Sequence, residues 1–256
     1  MSTRIGRSRK EVQQDLDQYC DSDLFDAKDD CTTYFEECLL PNITSSLVLG
    51  LDEFDSLFRN FQITQEFCSL LRSWNQKAKN NKLWQKLRLV IVYSTEFYIE
   101  NSIYESPLAN VGLIIKLPDF TTDQILNLAR DHSLNWQVRE VEQLTAIVGG
   151  HPYLIRLAIY TIAYDRIDLD TILNNAHTEA GIYGDHLTRH LWNLEQYPEL
   201  MAAFRPVLLA ERSVRIESVL AFKLQGMGLV DREGNEVKVR YNLYRRYFRE
   251  RWGLNR

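Results

Sequence analysis

The stretch Leu47–Phe58, LVLGLDEFDSLF, decides how this chain is read. Its four aliphatics and one glycine, bounded by Ser46 and Asp52, are too short and too glycine-interrupted for a helix and read as a buried strand. The strand delivers Asp52 and Glu53 together at its carboxyl end, the end that faces the ligand crevice in a parallel sheet. Phosphoryl transfer is limited by positioning and charge neutralisation. It asks for one carboxylate that holds Mg²⁺ through water and a neighbour that polarises the attacking water. Asp52 fits the first role and Glu53 the second. A plainer reading also fits: a strand followed by an Asp helix cap, with Glu53 and Asp55 decorating the first turn.

Working outward, Phe67, Leu70, Leu71 and Trp74 fall at spacings of three and four within Thr64–Lys77, one face of a crossover helix. LRLVIVY gives a second buried strand and GLIIKL a third, and the helix between the first two implies parallel pairing. After Pro118 the pattern is helical. TTDQILNLARDH opens with a Thr cap and a nearby Gln. VREVEQLTAIV and PYLIRLAIYTIAY are separated by the Gly149, Gly150, His151 turn, with Pro152 suited to a first helical turn. DLDTILNNAHTEA is opened by Asp168 or Asp170 as cap. Helices near 184–195 and 198–209 follow, then IESVLAFKLQGMG. Last comes LVDREGNEVKVRY, two short strands around a Glu233, Gly234, Asn235 turn, which together read as a winged helix.

Composition bounds the function classes. With 256 residues, 45% hydrophobic and 25% charged, the chain can bury one large or two small cores and is neither disordered nor collagenous. Its longest apolar runs, Leu89–Tyr93 and Gly112–Ile115, are far too short to cross a bilayer, so no membrane partner is expected. The start, MSTRIGRSRK, is basic without an apolar stretch after it, which reads as a cytoplasmic protein with reduced cysteines. Cys20, Cys31, Cys38 and Cys68 form no CxxC pair and read as ordinary buried or half-buried thiols. Residues 1–40 hold ten Asp/Glu against five Lys/Arg, the whole of the net charge of −5. Residues 205–256 are basic, with twelve Lys/Arg against six Asp/Glu. Acidic and basic ends of this kind could attract each other or different partners. His186 and His190 stand four apart on an expected helix, a spacing that suits a metal; with no third ligand fixed, they read as exposed helix residues.

Taken in order, LVLGLDEFDSLF, the helix ending LLRSWNQKAKN, LRLVIVYSTEFYI followed by SPLANVGLIIKLPDFT, VGGHPYLIRLA and GMGLVDREGNEVKVRYNLYRRYF resemble the AAA-like domain proteins of cyanobacterial type. These are similar to the STAND class of P-loop ATPases, and the resemblance covers roughly residues 45–256. It implies an α/β fold: a truncated P-loop NTPase-type parallel sheet, followed by a helical lid and a C-terminal winged helix. The implied division is an acidic, loosely structured lead-in at 1–44, a core with Walker B at 45–118, the lid at 119–180 and the winged helix at 181–256. ATP and Mg²⁺ are the implied cofactors, with Asp52 on the metal through water and Glu53 as its catalytic neighbour. Ser94 or Thr95 matches the sensor hydroxyl beside Walker B, where a plain helix cap serves equally. Gly150, His151 and Pro152 match the family's Gly-x-Pro turn, whose proline lies against adenine.

The chain departs from the family at one place. No G-x-x-x-x-G-K-[ST] occurs, and the only glycine before Gly50 is Gly6. Either the phosphate loop is supplied by a missing N-terminal ATPase segment, or the chain is a degenerate relative serving other protein domains as a signalling or assembly scaffold. Autonomous ATP hydrolysis is not expected, and a sheet short of a strand leaves edges that the first 40 residues or a partner must cover. The alternative class is a winged-helix nucleic-acid binder. In YNLYRRYFRERWGLNR, Arg245, Arg246, Arg249 and Arg251 interleave with Tyr244, Tyr247, Phe248 and Trp252. The aromatic spacing equally suits a helix packed on its own core, and IESVLAFKLQGMG carries only Lys223 as a basic residue.

Overall fold

The computed structural model describes residues 27–93 and 112–254, in two compact units divided between Ile114 and Ile115. The first unit is built on an aromatic core. Helix α1 (Ala27–Thr33) continues as a wider π turn through Tyr34–Leu39, inside the stretch read as a loose lead-in. There it buries Tyr34, Phe35, Leu39 and Leu40. Strand β1 (Leu47–Leu51), a 3-10 turn at Phe54–Arg59, helix α2 (Phe61–Asn80), a short turn at Trp84–Lys86 and strand β2 (Leu87–Ile91) follow. Helix α2 starts where Asn60 accepts a hydrogen bond from the Ile63 N–H at 3.1 Å, a cap the asparagine side chain is suited to make. It buries Leu70, Leu71 and Trp74, three of the four positions read from its spacing. Phe35, Trp74 and Trp84 stack with centroids 4.5 to 6.3 Å apart. Glu36 fixes that stack by accepting from the Trp84 indole at 2.6 Å and the Lys77 ammonium at 2.7 Å.

Strands β1 and β2 pair in parallel, Leu47 opposite Leu87 through Leu51 opposite Ile91. The crossover helix between them therefore does what its length implied. Leucines 47, 49, 51 and 89 pack toward the aromatic core, while Val48 and Val90 on the other face stay 62% and 48% exposed. GLIIKL corrects the sequence reading: among the described residues the parallel sheet has two strands, and Leu113, Ile114, Ile115 and Leu117 are exposed with no strand partner. A run of apolar residues sets strand propensity, but a strand also needs a neighbouring edge to satisfy its backbone, and here none is engaged.

The second unit is mainly helical. Helices α3 (Thr122–Asp131), α4 (Val138–Val148), α5 (Pro152–Tyr160), α6 (Leu169–Asn175), α7 (Gly184–Glu195), α8 (Pro198–Leu209) and α9 (Ser218–Gly226) lead to a hairpin. This is β3 (Val230–Glu233) paired with β4 (Glu236–Val239), with Val214 bridged to Val237 at its edge. Helix α10 (Asn242–Arg251) closes the order. Thr121 and Gln124 form a reciprocal capping box at the start of α3, and Asp168 caps α6 by accepting from Thr171 N–H at 2.8 Å. One continuous core runs from Ile125 to Phe248, crossing the expected division near residue 180. Tyr244, Tyr247 and Phe248 of α10 lie within it, so the aromatics of the basic tail serve the fold.

Candidate functional site

In the first unit the polypeptides leaving β1 and β2 stay side by side. Val92 N–H donates to Leu51 O at 2.8 Å and Phe54 N–H to Val92 O at 3.0 Å, extending the ladder past the strands. The chain turns sharply between these bonds. Glu53 adopts φ 51°, ψ 38°, a left-handed conformation that costs a side-chain-bearing residue on the order of 1 kcal/mol. Asp52 holds the turn by accepting from the Glu53 N–H at 2.9 Å through Oδ1. Both carboxylates are exposed at the carboxyl end of the parallel pair, as the strand reading required. Asp55, read as first-turn decoration, is instead 9% exposed. Ser94 and Thr95 lie outside the described residues.

The Asp52 bond to the Glu53 N–H uses Oδ1; the exposed Oδ2 could hold the water of a hydrated Mg²⁺, an ion that keeps most of its own water. The triphosphate fares differently. Among the described residues of this unit no glycine-rich turn presents a row of backbone N–H groups of the kind that surrounds a triphosphate.

Gly150, His151 and Pro152 belong to the second unit. Gly149 takes φ 60°, and any Cβ there would run into the Tyr241 ring; a Cβ on Gly150 would lie 2.5 Å from Phe120 O. The two glycines are therefore required by close packing. Phe120 N–H donates to Gly150 O at 2.7 Å, tying the turn to the segment before α3. On the same segment Asp119 accepts from Tyr241 OH at 2.8 and 2.9 Å and from Arg240 at 2.9 Å. Pro152 is the first residue of α5.

Behind this turn sits a buried imidazole cluster that the sequence reading misplaced. His186 and His190 are not exposed: they are 7% and 2% accessible. Helix α7 buries His186, Leu187, His190, Leu191 and Leu194, a stripe wide enough to take the two histidines in. The His186 ring lies 5.6 Å from His151 and 4.6 Å from His190, and its Nε2 is hydrogen-bonded to Tyr244 OH at 2.9 Å. Burial, together with the charge of neighbouring imidazoles and Arg189, pushes His190 down to about 4 and His186 to about 2. His151 is lowered too, first by burial and then by Arg240, with Asp119 opposing. The cluster is thus uncharged at neutral pH. Among the described residues no group of three or more His, Cys, Asp and Glu side chains is disposed to hold a metal ion. Asp119, Arg240 and Tyr241 were missed because they come together across some 120 residues, a separation that no local spacing announces.

The AAA-like domain family matches residues 3–250. The chain belongs to that family. Among solved structures, a Walker-type ATPase of Pyrococcus abyssi is similar at a TM-score of 0.57 and 14% identity, over 88% of this chain and 69% of that one. At that identity the likeness concerns the fold alone, a mixed α/β arrangement that is mostly helical with a small parallel sheet. No curated protein gives a significant match. Among the described residues no helix is long and apolar enough to cross a membrane.

Proposed function

We propose that this AAA-like protein is a cytoplasmic, STAND-like ATPase module, used for signalling or assembly, in which LVLGLDEFDSLF is the Walker B strand. The observation that carries this reading is the strained turn at the end of β1. Glu53 is held left-handed by the Asp52 carboxylate and by the ladder bonds to Val92, so both carboxylates project from one strand end. A conformation that costs energy at a strand terminus is the kind of feature that functional sites retain. Bound Mg²⁺ would neutralise charge on a triphosphate. Asp52 would hold the metal's water, and Glu53 would orient the attacking water and take its proton.

Because no G-x-x-x-x-G-K-[ST] is present in the sequence, nucleotide affinity depends on a phosphate loop supplied from another segment. Ser94 or Thr95 would touch the γ-phosphate, and Gly150, His151 and Pro152 would border adenine. The α9–β3–β4–α10 run is assigned as a winged helix whose aromatics serve its own core instead of reading DNA. The buried Tyr244, Tyr247 and Phe248 support that assignment over nucleic-acid binding. So does Lys223, whose ammonium lies over the Tyr197 ring. The test is ATP turnover by the chain joined to a glycine-rich, Lys-Ser-ending loop and its strand. Hydrolysis that Glu53→Gln abolishes while nucleotide affinity persists supports the assignment. Turnover indifferent to both Asp52→Asn and Glu53→Gln refutes it.

A further inference from the structure

An open depression of about 330 Å³ in the second unit is lined by His177, Asn242, Arg245, Arg246, Arg249 and Glu250. Five of the six residues come from α10. Asn242, Arg245, Arg246 and Arg249 are spaced three and four apart and so share a face of that helix. His177 comes from the turn after α6. Arg245 already has a structural task, donating to Leu208 O at 2.6 Å and Ala210 O at 2.5 Å where α8 ends. Arg249 does not. Its Nε is shut off from solvent and has no hydrogen-bond partner among the described residues. The His177 Nδ1 is in the same condition, while its Nε2 lies 3.2 Å from Glu250. That contact occupies the one carboxylate in the lining. Among the described residues Arg246 and Arg249 form no ion pair, and Arg249 keeps an Nε–H without an acceptor beside an unpartnered imidazole nitrogen of His177.

We propose that this depression binds the terminal phosphoryl group of a small ligand, with Arg246, Arg249 and Asn242 as its donors. Guanidinium groups match phosphoryl oxygens bidentately, and an anion between Arg245 and Arg249 relieves the repulsion of two cations one helical turn apart. A concave site favours a terminal phosphoryl group, which can enter it, over a phosphodiester backbone that tracks a flat basic surface. The site is independent of the carboxylates at the end of β1 and of the ATPase reading.

The experiment titrates the full chain with inorganic phosphate by amide-detected NMR. Shifts should concentrate at Asn242, Arg246, Arg249 and His177, with a dissociation constant on the order of millimolar. Arg249→Gln and Arg246→Gln should each weaken binding about tenfold. Arg232→Gln, an exposed arginine in β3, should leave it within about twofold, so net charge alone is controlled. A short phosphomonoester should bind at the same residues. Circular dichroism confirms that the variants fold, and the exposed Arg246 serves if Arg249→Gln does not. Absence of any saturable phosphate response in the wild type, or equal loss in Arg232→Gln, overturns the proposal. So does binding of duplex DNA that depends on Arg249 without a phosphate response, which would assign the face to nucleic acid.

Discussion

In residues 27–93 a two-stranded sheet packs one face on Trp74 and Trp84 and leaves Val48 and Val90 in solvent, whereas from Ile125 to Phe248 helices enclose one continuous core. The units also differ in their buried polar groups. The first fixes its aromatic core with the Glu36 carboxylate, which accepts from Lys77 and Trp84; all five histidines of the chain lie in the second, three of them meeting edge to face behind the turn at residues 149–152. The contrast separates two demands on the chain. Among the described residues, the unit that carries exposed carboxylates at a strand end leaves one sheet face in solvent, and the unit that holds the turn at residues 149–152 encloses one continuous core.

The largest expected effect falls on the first unit. Trp84→Ala removes the centre of the aromatic stack and a donor to Glu36, and should cost about 3–5 kcal/mol. Hydrogen exchange read by mass spectrometry should lose protection in residues 27–93 and keep it in 119–252. Loss in both would mean that the units do not fold as separate bodies.

Acidification should do the reverse. A histidine whose folded pKa is depressed favours the folded state above its unfolded value near 6.5, and that stability disappears as pH falls toward the folded pKa. With His190 at about 4 and His186 lower, the second unit should lose on the order of 2 kcal/mol per buried histidine between pH 7 and pH 5. Urea unfolding followed by exchange at the two pH values checks this. His186→Phe with His190→Leu should flatten the profile, while the histidine-free first unit should change little across that window.

At the turn after β1 the expected effect is smaller. Glycine normally destabilises relative to alanine, but at φ 51° the order should invert, with Glu53→Gly more stable than Glu53→Ala by about 1 kcal/mol. Equal stabilities in chemical denaturation would show that the turn is not strained in solution. The smallest effect is on the open sheet face, where Val48→Thr should shift stability by less than about 0.5 kcal/mol because the side chain is already in water. A larger loss would show that something covers that face.

These differences explain what could be read from the sequence. Helix α2, the parallel strands, the Thr121 cap, Pro152 at a helix start and the hairpin around Gly234 were all legible, since each rests on local spacing or a single residue's backbone preference. So was the placement of Asp52 and Glu53. GLIIKL was misread because strand propensity does not supply a partner. His186 and His190 were misread because polar residues inside a wide buried stripe look exposed when polarity alone is scored. The tie between Asp119 and Tyr241 depends on tertiary closure and leaves no trace in local pattern.

The central claim is the proposal that Asp52 and Glu53 are the carboxylates of an ATPase site whose phosphate loop must come from another segment. Calorimetric titration of Mg-ATP into residues 1–256 tests it most directly. The account predicts no measurable heat of binding, because the triphosphate's charge would lack the backbone N–H nest and lysine that compensate it. Micromolar binding by this chain alone, lost in Asp52→Asn, would contradict it.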